Sequence, residues 1–176
     1  KLIRPHRKAE MRVEHFKWMR EHSSKYNLSS SSMRPMPPES LRGEPVDLRM
    51  QLAEVYETGP EGVVLSHGTQ EANFLAVASL RERVTRAQVI LPEYEPIRLL
   101  PGLLGLKLEF IPSPWDVGSE SLLVFSCPNN PLGDCIGVEG LQELSSELVR
   151  KRSYAVVDSI FADFLGVEMF PLENVI

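Results

Sequence analysis

Between about residue 63 and residue 158 the chain alternates short apolar runs with segments of helical periodicity, and no other feature limits its fold so tightly. Val63-Val64-Leu65 and residues 88–91, 106–111, 122–125 and 154–157 read as strands. Between them, residues 70–83 carry Phe74, Leu75, Ala78 and Leu80, a helix starts near Glu95, and residues 138–150 stripe Leu141, Leu144 and Leu148 along one face. Short strands separated by amphipathic helices predict an α/β fold with a largely parallel sheet. Upstream, residues 9–22 place Met11, Val13, Phe16, Trp18 and Met19 at near-helical spacing, and residues 46–57 do the same with Leu48, Leu52, Val55 and Tyr56. The stretch between, residues 23–45, turns to serine, proline and methionine and reads as a linker or crossing loop. The expected organisation is therefore an arm over 1–45 and an α/β unit over 46–176.

Composition removes several function classes. An apolar content of 43% supports a buried core, and a net charge of −5 argues against nucleic acid as a partner. The basic start (Lys1, Arg4, Arg7, Lys8) reads as a solvated terminus, with an anionic-surface arm as the other possibility. No apolar run approaches the ~20 residues of a helical membrane span, and no apolar core follows the basic start as in a secretory signal. A cytoplasmic protein is expected. Cys127 and Cys135 match no zinc spacing, and two free thiols are expected, because a bridge would clamp the loop between them.

Four features carry chemistry. Ser66-His67-Gly68-Thr69 lies where a helix begins, so its backbone N–H groups suit a phosphate, although ordinary capping gives the same letters. The turn fits neither the three-glycine dinucleotide pattern nor the P-loop. Tyr94, in Leu91-Pro92-Glu93-Tyr94-Glu95-Pro96, follows a strand tip and can stack on a flat ring or simply half-bury in a loop. Asn129-Asn130-Pro131-Leu132-Gly133 follows the run 122–125, and Asp158 ends the run 154–157. Either could be local structure, a turn or a helix cap. In a parallel sheet, however, both tips open on one crevice, where an amide can bond a ring oxygen and an acid can pair with a protonated ring nitrogen.

Taken in order, these landmarks resemble the class I/II aminotransferases among the fold-type I pyridoxal-phosphate enzymes. The resemblance covers roughly residues 26–166. It rests on Leu48-Arg49 with Leu52-Ala53, His67-Gly68-Thr69-Gln70-Glu71-Ala72, Tyr94, Asn130-Pro131-Leu132-Gly133 and Asp158. It implies a three-layer sandwich, the large domain of that fold in incomplete form. It also implies pyridoxal 5'-phosphate as cofactor, amino acid and keto acid as substrates, and a homodimer. On this likeness Gly68 and Thr69 hold the phosphate, Tyr94 stacks on the pyridine, Asn130 bonds the ring's 3-oxygen and Asp158 pairs with the ring nitrogen. Ser30 and Ser31 fall where backbone groups approach the substrate carboxylate.

Three departures qualify the resemblance. Phe161 stands three residues past Asp158, where the family usually has a tyrosine whose hydroxyl also bonds the ring oxygen. Leu132 replaces the usual threonine, a matter of packing. The Schiff-base lysine is missing: Lys1, Lys8, Lys17, Lys25, Lys107 and Lys151 match no such position, and the residues after Asp158 include neither lysine nor arginine. The chain is thus expected to be the N-terminal portion of an aminotransferase, with that lysine beyond Ile176, and to be inactive alone. Carbon–sulfur lyases and decarboxylases share the landmarks, and a lysine-free ligand-binding module would share the crevice. A nucleotide-binding α/β protein is disfavoured, since it lacks a glycine-rich fingerprint.

Overall fold

Residues Ser121–Ser126 form the strand around which the rest of the molecule is layered, and all six are buried. A run of Leu122, Leu123, Val124 and Phe125 with no polar alternation suits a strand covered on both faces, as in the middle of a parallel sheet. The computed structural model describes residues 13–27, 36–37, 39, 43, 46–166 and 169–176. Its elements in chain order are α1 (Glu14–Glu21), α2 (Leu48–Val55), α3 (Thr69–Leu80), β1 (Arg86–Ile90), α4 (Glu95–Leu103), β2 (Leu108–Ile111), β3 (Ser121–Ser126), α5 (Gly137–Lys151), β4 (Tyr154–Asp158) and α6 (Ala162–Leu165).

The four strands form one sheet in the order β2-β1-β3-β4, and every neighbouring pair is parallel. Leu122 and Val124 point to one face, where Val77 and Leu80 of α3 and Ile97 of α4 pack. Leu123 and Phe125 point to the other, against Leu141, Leu144 and Leu148 of α5. This is the expected three-layer α/β sandwich. Leu122 and Leu148 are fully buried, so truncating either to alanine costs about 2–5 kcal/mol.

The connections leaving β1 and β3 run in opposite directions, β1 through α4 to the outer strand β2 and β3 through α5 to β4. The carboxyl ends of these two neighbours therefore diverge and leave a crevice between them, the usual ligand position in open parallel sheets. Residues 174–176 hydrogen-bond along the free edge of β4, Val157 N–H to Ile176 O at 2.8 Å and Ile176 N–H to Ala155 O at 2.9 Å.

Several expectations need correction. Val63-Val64-Leu65 is not a strand: among the described residues it pairs with none, and Val64 is 73% exposed. Three apolar letters do not make a strand without a neighbour to satisfy the backbone. The predicted helix over 46–57 is trimmed to Leu48–Val55, with the Asp47 side chain accepting from Arg49 and Met50 N–H groups. The predicted helix over 9–22 is observed as Glu14–Glu21, and residues 9–12 lie outside the described residues. No described helix is long and apolar enough to cross a membrane.

Candidate functional site

The first wall of the crevice is the amino end of α3. Gly68 caps it at φ +90°, ψ 167°, a conformation that glycine adopts without strain, and a Cβ there would meet nothing within 4 Å. Backbone geometry, not crowding, therefore calls for glycine. The first helical bond runs from Ala72 N–H to Gly68 O, so the preceding N–H groups have no acceptor within the helix. Thr69 and Gln70 line the crevice, whereas Gly68 itself stands exposed at its edge. His67 turns outward and binds the Glu71 carboxylate through its backbone N–H at 2.5 Å and Nδ1 at 2.9 Å. The backbone bond first, then the side-chain bond, holds the Glu71 carboxyl below its ordinary value.

The second wall is the pair of tips of β3 and β4. Their register aligns Ser126 with Asp158, so the loop after Ser126 and the Asp158 carboxylate open side by side. Asp158 is 7% exposed; its Oδ2 accepts from Asn73 Nδ2 of α3 at 2.8 Å, and its Oδ1 from Ile160 N–H at 3.2 Å. It does not cap α6, whose N-cap is Phe161. Each carboxylate oxygen keeps acceptor capacity for a further donor.

The two asparagines of the loop divide their work. Asn129 is engaged, giving Nδ2 to Pro92 O at 3.2 Å and accepting Leu132 N–H on Oδ1 at 3.1 Å. Asn130 is fixed only through its backbone, N–H to Ser126 Oγ at 2.9 Å, and its side-chain amide makes no hydrogen bond among the described residues. That amide lines the crevice.

The loop is also closed by a disulfide between Cys127 and Cys135, which corrects the expectation of free thiols. The physical reason is a tight reversal: Asn129 N–H bonds Asp134 O and Gly133 N–H bonds Asn129 O, and the two Cα atoms come within 4.9 Å. Both cysteines pack against the core that faces α5, and Asn130 still lines the crevice.

Tyr94 crosses over from the tip of β1, its ring edge-on to His15 of α1 at 5.5 Å. Burial, and then the Asp158 charge, push its phenol above the ordinary value. Phe161 also lines the crevice and, as a phenylalanine, brings no hydroxyl. With Phe164 and Leu165 it makes an apolar margin, and Phe16, Met19 and Arg20 of α1 complete the boundary of a cleft of about 1160 Å³.

Thr69, Tyr94, Asn130, Asp158 and Phe161 thus meet in one cleft, with Gly68 at its edge. Ser30 and Ser31 lie outside the described residues. Sequence reasoning missed Asn73 and Glu93. Asn73 carried a readable signal, a lone amide on the stripe shared with Val77 and Leu80. Glu93 carried none beyond its place before Tyr94, yet it is 7% exposed and its carboxylate faces Ser126 and Asn129. Burial pushes its carboxyl up, the donors of Ser126 and Tyr94 pull it back, and the Asp158 charge adds a smaller push upward.

Residues 40–173 match the sequence family described as aminotransferase class I and II. The chain belongs to that family. Among curated proteins this aminotransferase-family chain is 29% identical over 131 residues to a histidinol-phosphate aminotransferase of Hydrogenobaculum sp. (strain Y04AAS1), covering 68% of the chain and 36% of the relative. Its fold is similar to that of a PLP-dependent cyclase, OrfR, with a TM-score of 0.71 and 22% identity over 93% of this chain and 52% of that one. It is also similar to the L-threonine-O-3-phosphate decarboxylase of Porphyromonas gingivalis, with a TM-score of 0.59 and 16% identity over 73% and 42% of the two chains. The chain therefore spans about a third to a half of these relatives' lengths. The family's cofactor is pyridoxal phosphate.

Proposed function

We propose that the cleft holds pyridoxal 5'-phosphate and that the protein of which these residues form the cofactor wall transfers an amino group from an α-amino acid to a keto acid. The observation that carries this reading is the pairing of strand tips: a buried carboxylate, Asp158, beside an unengaged amide, Asn130, with an aromatic side chain, Tyr94, across the gap. That donor set suits a phosphorylated pyridinium bearing a ring oxygen. The cofactor, when bound, supplies an electron sink for charge developing at the substrate's α-carbon.

The chain's own residues then have distinct tasks. The N–H groups at the start of α3, with Gly68 and Thr69, receive the phosphate and anchor the far end of the molecule. Tyr94 covers one face of the ring, contributing ~0.5–1.5 kcal/mol beyond its area. Asn130 donates to the ring oxygen and sets the tilt. Asp158 keeps a proton on the ring nitrogen, a charge-assisted bond that contributes ~1.5–3 kcal/mol. Asn73, bonded to Asp158 Oδ2, keeps that carboxylate aimed.

Among the described residues no lysine lines the cleft, which supports the reading that this chain alone binds the cofactor without turning it over. We also propose that the protein is cytoplasmic and, as the family likeness suggests, a homodimer. Phe161 and the lysine-free cleft favour a second reading, a ligand-binding module or another reaction of the same fold, such as decarboxylation or carbon–sulfur cleavage. An amino-transfer assay with a panel of α-amino donors and keto acids, on this chain and on any longer product of its gene, decides between them. Amino transfer by the longer product is the expected result. Cofactor uptake without any amino transfer favours the second reading.

A further inference from the structure

Glu93 is a buried acid that none of the roles above employs, yet its carboxylate is the most heavily bonded group in the cleft. Oε1 accepts from Tyr94 N–H at 2.8 Å and from Ser126 Oγ–H at 2.5 Å. Oε2 accepts from Ser126 N–H at 2.7 Å and from Asn129 Nδ2 at 3.4 Å. One side chain thus touches three structures: the backbone of the stacking residue, the end of β3 and the side chain of the loop's first asparagine. The Ser126 hydroxyl extends the reach, because the oxygen that donates to Glu93 also accepts Asn130 N–H at 2.9 Å.

The consequence is a continuous hydrogen-bonded path from Tyr94 through Glu93 and Ser126 to Asn130. It spans the two strand tips, β1 and β3, between which the crevice opens. All four donors at Glu93 point at acceptor lone pairs, an arrangement only a carboxylate can satisfy in full. Burying an acid is unfavourable unless it is so satisfied, so a sequence gains nothing from glutamate here as packing alone.

We propose that Glu93 and Ser126 are positioning residues that hold Tyr94 and Asn130 in the mutual geometry needed to grip the cofactor ring. This rests on the cofactor reading above and adds two residues to it. The pair touches neither substrate nor ring. It sets the distance between the side chain that covers the ring's face and the amide that meets its edge.

The test is a titration of the protein with pyridoxal phosphate, read by binding affinity and by the induced circular dichroism of the bound ring. Wild type, E93Q, S126A and S145A are compared. E93Q keeps the size of the side chain but turns an amide NH2 toward two donors. S126A deletes the hydroxyl, and with it both the bond given to Glu93 Oε1 and the bond taken from Asn130 N–H. S145A is a control, since Ser145 is a buried serine of α5 that bonds Glu173 O at 2.7 Å, on an element outside the cleft.

Each lost hydrogen bond of ~1 kcal/mol is about five-fold in affinity, and each variant disturbs two, so S126A and E93Q should each weaken binding by about ten-fold or more. The dichroism should change in both. S145A should melt lower while binding and dichroism stay as in wild type. If S126A, folded with a wild-type dichroism in the far ultraviolet, binds within two-fold of wild type with an unchanged ring signal, the inference is overturned and the cofactor reading stands. If wild type itself takes up no pyridoxal phosphate, the cofactor reading fails and this inference with it. Should E93Q not fold, S126A alone decides.

Discussion

On the floor of the cleft Glu93, Ser126 and Asp158 are buried and hydrogen-bonded, with Asn73 behind Asp158, whereas on its rim Ile160, Phe164 and Leu165 are 56%, 71% and 58% exposed. The floor is polar in a place where polarity is expensive, and it is tolerated because every group has a partner. The rim is apolar in a place where polarity would be free. The floor is thus preorganised toward a ligand of fixed shape and charge, while the rim makes few demands of its own side chains. Mutational sensitivity should follow the same division: steep on the floor and shallow on the rim.

The largest effect is expected at Asp158. D158N keeps the shape, and the Asn73 contact can re-form after an amide flip, but the charge that faces the ring nitrogen is gone. Cofactor affinity should fall by ten-fold to about a hundred-fold, the equivalent of ~1.5–3 kcal/mol. Amino transfer by a longer product should fall further than binding does. A variant with near wild-type transfer would end the assignment of Asp158.

N73A comes next. It leaves Asp158 Oδ2 buried with one partner fewer, so unfolding free energy should drop by about 1–3 kcal/mol in denaturant titration. Cofactor affinity should drop about five-fold with it. Loss of stability with unchanged affinity would make Asn73 a packing residue only.

Glu93 sharpens the comparison through pH. Its carboxyl is pushed above the ordinary 4.5 in the folded state, by burial first. The folded protein then holds this proton when the unfolded chain has released it. The contribution of Glu93 to stability is therefore fully present below pH 4.5 and lost as pH rises through the higher folded value. Urea midpoints measured across that window should fall less steeply for E93Q than for wild type. Parallel curves would remove the burial argument.

F161Y is a smaller change, made where floor meets rim. It adds the hydroxyl that Phe161 lacks, and cofactor affinity should rise by about two-fold to ten-fold if the new group reaches the ring oxygen. An unchanged absorption titration of bound cofactor would place residue 161 off the ring. The smallest effect is expected at Phe164: F164S should leave affinity within two-fold and stability within about 0.5 kcal/mol. A large loss there would erase the contrast between floor and rim.

What the sequence made legible follows the same physics. The central strands β3 and β4 stood out because a strand covered on both faces reads as an apolar run, and β2 because Leu106, Leu108 and Phe110 alternate. Gly68, Tyr94, Asn130 and Asp158 stood out because polar or special residues at strand and helix ends break that pattern. Val63-Val64-Leu65 misled, since the same letters without a neighbouring strand leave only an exposed extended segment. The disulfide was read wrongly because spacing alone does not reveal the reversal that brings Cys127 and Cys135 together. The roles of Glu93 and Asn73 were hidden for a deeper reason, although the amide of Asn73 on an apolar stripe marked its position. Their meaning lies in partners 33 and 85 residues away, and no local pattern records those contacts.

The most direct measurement is a crystal structure of the protein soaked with pyridoxal phosphate. This account predicts the ring nitrogen within about 3 Å of an Asp158 carboxylate oxygen, the Tyr94 ring over one face, and the phosphate against the N–H groups that open α3. A bound cofactor whose nitrogen faces solvent or any group other than Asp158 would contradict it.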